Sequence, residues 1–111
     1  MPLFSVITPV YNPPIDAFES CIASMLEQTF TDWEWCLVDD ASPNPKVREI
    51  MERLARKDKR VRIAFRSTNG GIVAASQDAL DIATGTFIAL LDHDDVLHQK
   101  ALRLTANKIS G

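Results

Sequence analysis

At 111 residues the chain has room for one domain with a real core and no more. Its 46% apolar and 24% charged residues are those of an ordinary globular protein, and a net charge of −3 argues against the basic surface that nucleic-acid binding requires. No run nears the ~20 apolar residues of a membrane-spanning helix, and Met1-Pro2-Leu3-Phe4 lacks the basic flank and long apolar stretch of a signal peptide, so none is expected.

Leu3 to Thr8 is a short β-rich run, closed by Pro9 and the Asn12-Pro13-Pro14 turn. Asp16 is placed to cap a first helix, in which Phe18, Cys21, Ile22, Met25 and Leu26 recur at helical spacing. A second strand, Glu34 to Val38, runs into Asp39-Asp40. Asn44 followed by Pro45 is a strong helix start, an N-cap with proline at the first helical position. Val47, Ile50, Met51, Leu54 and Ala55 then form the clearest helical stripe in the chain. The basic residues Arg53, Arg56, Lys57, Lys59, Arg60 and Arg62 interleave with acids and read as a solvated helix face.

Val61 to Phe65 is the third strand. Asn69-Gly70-Gly71 is a turn that opens a small-residue helix, Ile72 to Ala83, with Gly85 as the left-handed residue that ends it. Thr86 to Leu91 is apolar enough to read as a buried fourth strand, and it delivers Asp92-His93-Asp94-Asp95. Gln99 to Ile109 is the last helix, for which Asp95 is the candidate cap. Cys36 and the methionines read as core. Cys21 and Cys36 lack zinc-ligand spacing and read as reduced thiols of a cytoplasmic protein.

Strand and helix alternate four times, which predicts an α/β fold: a Rossmann-like parallel sheet with helices on both faces. Ligands of such sheets bind outside the carboxyl ends of the strands. Every candidate polar group lies at such an end: Tyr11-Asn12, Asp39-Asp40, Asn69-Gly70-Gly71 and Asp92 to Asp95. If the sheet has the expected strand order 3-2-1-4, which alternation alone does not fix, strands two and four flank strand one and their ends stand ~10 Å apart, two inter-strand spacings, a span that suits a nucleotide. Five carboxylates gathered there repel one another unless a cation joins them.

The Asp92-X-Asp94 spacing allows one carboxylate to ligate Mg²⁺ or Mn²⁺ while the other accepts ribose hydroxyls or a water ligand. As a bare turn it would only lead into the last helix. Asp39-Asp40 can accept from a uracil or guanine ring N–H, or serve as turn chemistry with Ala41-Ser42-Pro43. Tyr11 can stack on a base or merely cover the loop. Asn69-Gly70-Gly71 can offer backbone N–H groups to a ligand or act as a connector. No Walker loop or dinucleotide glycine fingerprint is present.

Four motifs occur together in order: Ser5-Val6-Ile7-Thr8-Pro9-Val10-Tyr11-Asn12, Val38-Asp39-Asp40-Ala41-Ser42, Asn69-Gly70-Gly71-Ile72 and Ala89-Leu90-Leu91-Asp92-His93-Asp94-Asp95. Over essentially the whole chain they resemble the family 2 glycosyltransferases of the GT-A fold, in the flavour linked to bacterial O-antigen and other surface polysaccharides. The resemblance implies a nucleotide-diphosphate-sugar donor of UDP, GDP or dTDP type, held by Pro9, Tyr11, Asp40, Asn69, Gly71 and Asp92, with Asp94 and Asp92 on Mn²⁺ or Mg²⁺. It implies inverting transfer to a glycan or lipid-linked acceptor, in the cytoplasm or at the inner face of the membrane. Ala75-Ser76-Gln77 stands where family members usually carry Arg-Asn. Catalytic domains of the family run to roughly twice this size, so residues 1–111 are expected to be the donor-binding half, with the general base beyond Gly111. Two rivals are a nucleotide-binding module without turnover and a phosphoacceptor signalling domain. The second normally has five βα units and its acidic pair after the first strand.

Overall fold

The computed structural model describes residues 1–110, so Gly111 lies outside it. The elements in order are β1 (Phe4–Val10), α1 (Ile15–Leu26), β2 (Trp33–Asp39), α2 (Pro45–Lys57), β3 (Val61–Phe65), α3 (Ile72–Ile82), β4 (Phe87–Leu90) and α4 (Ala101–Ser110). The four strands are parallel in the order β3-β2-β1-β4, as expected. Val6 stands opposite both Trp35 and Ala89, and Trp35 opposite Val61.

Helices cover both faces of the sheet. On one, Phe18, Cys21 and Met25 of α1, Val47, Ile50, Met51 and Leu54 of α2, and Leu102 and Ala106 of α4 pack into the larger core. On the other, Ile7, Cys36 and Val38 meet Ala75 and Ala79 of α3. Covered on both sides, β2 is buried along its whole length and carries the near-continuous apolar pattern of an inner parallel strand.

Several local expectations change. β1 continues to Val10 through Pro9, which lies beyond the last β1–β4 pair, Ile7 with Leu90, where its missing N–H leaves no ladder partner unmet. Pro14, not Asp16, occupies the N-cap of α1; Asp16 sits in the first turn, where its charge suits the helix dipole. Asn44 does cap α2, its side chain accepting the Lys46 N–H at 3.0 Å. Gly85 is not a left-handed helix end, because α3 closes at Ala83 in extended geometry. A Cβ at Gly85 would come within 2.6–2.8 Å of Ser5 and the Phe4 backbone, so close approach to β1 is what requires glycine there. Asp95 caps no helix: its N–H closes a turn on the Asp92 carbonyl, and α4 starts at Ala101. Met25 and Met51 are core, whereas Met1 is exposed.

The largest departure is β4. Its apolar run is not buried: Phe87, Ile88 and Leu90 are exposed, and the strand pairs only with β1 at the sheet edge. The basic cluster also divides. Arg53 is solvated beside Glu19, while Arg60 lies 3.7 Å over the Trp33 ring and pairs with Asp58, and Arg62 reaches the buried Glu34 at 3.5 Å.

Candidate functional site

All four polar segments open on the same rim, at the carboxyl ends of the strands. Asp40, only 2% exposed, accepts the N–H groups of Gly70 and Gly71 at 2.8 Å each. Its backbone carbonyl accepts from the Asn69 amide at 3.3 Å. The loop N–H groups therefore serve Asp40, not a ligand, and Gly71 adopts φ 92°, which glycine tolerates. The Arg66 guanidinium lies 3.3 Å from Asp40 and 2.6 Å from Asp78, a positive partner that sequence reading missed. Its buried Nε faces Asp40 without the alignment of a hydrogen bond. Asp39 accepts both the N–H and the hydroxyl of Ser42, and the same hydroxyl accepts the Asn12 N–H at 2.7 Å. Ala41, between these acids and Ser42, is held at φ 60°, an uncommon conformation for a residue with a Cβ.

The repulsion expected among five carboxylates is thus resolved within the protein for the β2 pair. Asp92, Asp94 and Asp95 differ: all three are exposed, and none of their carboxylates has a hydrogen-bond or ion-pair partner among the described residues. Half-buried His93 points back, its Nδ1 accepting the Tyr11 N–H at 3.3 Å.

Two hollows occupy this rim. One, of about 300 Å³, is walled by Pro9, Val10, Tyr11, Asn69, Gly71, Ile72, Ala75 and His93, with buried Asp40 in its lining. The other, of about 230 Å³, is lined by Pro9, Ile72, Asp92, His93 and Asp94. They share Pro9, Ile72 and His93, so Asp40 and the Asp92–Asp94 pair lie along one cleft. Asp39 and Asp95 line neither. Among the described residues no group of three or more His, Cys, Asp or Glu side chains is placed to hold a metal ion. Asp92 and Asp94 can supply two hard oxygen donors to one. Cys21, beneath this segment, is no candidate ligand: burial, with the charges of Asp95, Asp94 and Asp92, pushes its thiol up to about 12.

The chain belongs to glycosyl transferase family 2, whose description matches residues 5–111. It is 41% identical over 96 residues to the uncharacterized glycosyltransferase EpsJ of Bacillus subtilis, covering 86% of this chain and 27% of that protein. It is 35% identical over 101 residues to the O-antigen biosynthesis protein RfbC of Myxococcus xanthus, covering 91% of this chain and 8% of that one. Among solved structures, S. aureus TarS 1–349 in complex with UDP-GlcNAc superposes with a TM-score of 0.86 at 28% identity, over 97% of this chain and 31% of that one. The chain spans less than half the length of the curated relatives it matches.

Proposed function

We propose that the joined hollows hold a nucleotide-diphosphate sugar, the donor of a glycosyl transfer performed by the parent protein. One observation carries this reading: a single cleft has an apolar-walled, internally braced end and an end where two carboxylates lack protein partners. The base lies against Pro9 and Tyr11, with Asn69 and Gly71 across from them and Asp40 below. Asp40 Oδ1 accepts the Gly70 N–H and faces Arg66, whereas Oδ2 accepts only the Gly71 N–H and keeps a lone pair that a base N–H can use. Asp92 takes the ribose and diphosphate side, and Asp94 with Asp92 holds Mn²⁺ or Mg²⁺. Two carboxylates suit such an ion, whose remaining positions go to water and phosphate oxygens. Bound there, it supplies Lewis-acid stabilisation of the charge on the leaving diphosphate.

The chain's own part is to bind and orient the donor. No residue described here is assigned as the general base of an inverting transfer, so the isolated chain is expected to bind without transferring. The relative named for O-antigen biosynthesis supports surface-polysaccharide synthesis, with a glycan or lipid-linked acceptor. Two free buried cysteines support a cytoplasmic location, and the acceptor class supports the inner face of the membrane. Calorimetric titration of UDP, GDP and dTDP with and without Mn²⁺ tests the reading. At least one should bind, more tightly with Mn²⁺, and Asp94→Ala should remove the Mn²⁺-dependent part. Failure of all three to bind would overturn it.

A further inference from the structure

Helix α1 and the turn that ends it carry buried polar groups beside the apolar stripe. Cys21 and Ser24 of α1, and Gln28 two residues past its last turn, are all buried and all turned to the segment that follows β4. The Cys21 thiol donates to the Asp92 carbonyl at 3.5 Å. The Ser24 hydroxyl accepts the Leu97 N–H at 3.1 Å while donating to the Cys21 carbonyl at 2.7 Å. Gln28 makes the most: its amide nitrogen donates to the His98 carbonyl at 2.7 Å and the Ser24 carbonyl at 3.2 Å, and its oxygen accepts the Leu102 N–H at 3.1 Å.

Between Leu91 and Lys100 there is neither strand nor helix, and within that stretch the backbone closes only the Asp95-to-Asp92 turn on itself. The carboxylates of Asp92 and Asp94 have no partners of their own among the described residues. Where they point is therefore set by their backbone, and that backbone is tied to Cys21 and Ser24 of α1 and to Gln28 just past its end. Sites that bind ions need their donors held to within about 0.5 Å. The geometry points to Gln28, seconded by Ser24, as the positioning residue of the acidic segment: it sets the Asp92–Asp94 pair for cation and diphosphate without touching either. This rests on the donor-binding reading of the cleft.

The test uses Gln28→Leu, similar in size but without donor or acceptor, and, as ligand, whichever of UDP, GDP and dTDP the wild-type chain binds, titrated with and without Mn²⁺. The expected result is metal-free affinity within about twofold of wild type and Mn²⁺-supported affinity about tenfold weaker, the size typical of a lost supporting contact. Hydrogen exchange at the Leu102 amide, whose N–H the Gln28 oxygen accepts, should accelerate. A folded Gln28→Leu with an unchanged Mn²⁺ increment overturns the inference, as does an equal fall in both affinities, which marks a merely structural role. Should Gln28→Leu not fold, Ser24→Ala is judged by the same criterion. Wild-type chain that binds none of UDP, GDP and dTDP, or binds them without regard to Mn²⁺, defeats the underlying reading and this inference together, an outcome distinct from failure in the variant alone.

Discussion

The acids that close β2 and the acids that follow β4 sit on one rim of one sheet, yet they have opposite surroundings. Asp39 and Asp40 are 5% and 2% exposed, and they take their hydrogen bonds from Ser42, Gly70 and Gly71, with Arg66 as countercharge for Asp40. Asp92, Asp94 and Asp95 are exposed and have no such partners among the described residues. The first group braces three loops against one another. The second is left open to water and to whatever charge a ligand brings. An acidic residue at a strand end therefore says little until its hydrogen bonds are accounted for.

The sharpest way to break this contrast is Asp40→Asn. An amide has one acceptor oxygen for two loop N–H groups and leaves Arg66 facing a neutral group, so a loss of about 2–4 kcal/mol is expected in urea unfolding. A loss near zero would make Asp40 no different from the β4 acids. Asp94→Asn should do the reverse, leaving stability within about 0.5 kcal/mol but weakening Mn²⁺-supported UDP binding at least about tenfold, or ~1.4 kcal/mol.

A third acid, Glu34, extends the comparison to the opposite end of the sheet. Burial alone would raise its carboxyl, but hydrogen bonds from Ser5 and Thr84, with Arg62 alongside, hold it below its ordinary value of 4.5. The unfolded chain then takes up the proton more readily than the folded one. Stability supplied by Glu34 is full above pH 4.5 and drains away as pH falls below it. Glu34→Gln should cost about 1 kcal/mol at neutral pH and flatten that acid slope in thermal melts taken below pH 4.5. The smallest effect belongs to Ala41→Gly. Relief of the left-handed φ, about 1 kcal/mol, is largely offset by about 0.4–1 kcal/mol of unfolded-state entropy, so urea unfolding should show a net gain within about 0.5 kcal/mol.

Much of this was legible beforehand because it rests on periodicity and short-range chemistry. The alternation of strands and helices, the Asn44-Pro45 helix start and the placing of four polar loops at strand ends all follow from local patterns. What was not legible depends on long-range partners. Nothing local marks Arg66 as the neighbour of Asp40, and nothing local marks Ser24 within the apolar stripe of α1, or Gln28 just after it, whose partners lie some 70 residues on. An apolar run such as Phe87-Ile88-Ala89-Leu90 reports that it can be covered, not that a layer covers it. Gly85 looked like a helix end because glycine's two uses, positive φ and close approach, leave the same letter.

The claim on which the rest depends is that a cation brought with a nucleoside diphosphate settles at the β4 acids. Paramagnetic line broadening by Mn²⁺ in the presence of UDP, followed over all backbone amides, tests it most directly. Broadening centred on Asp92, His93 and Asp94, fading toward Tyr11 and Gly71, is the predicted pattern. Broadening centred instead on another acidic stretch, such as Glu49–Glu52 on α2, would contradict it.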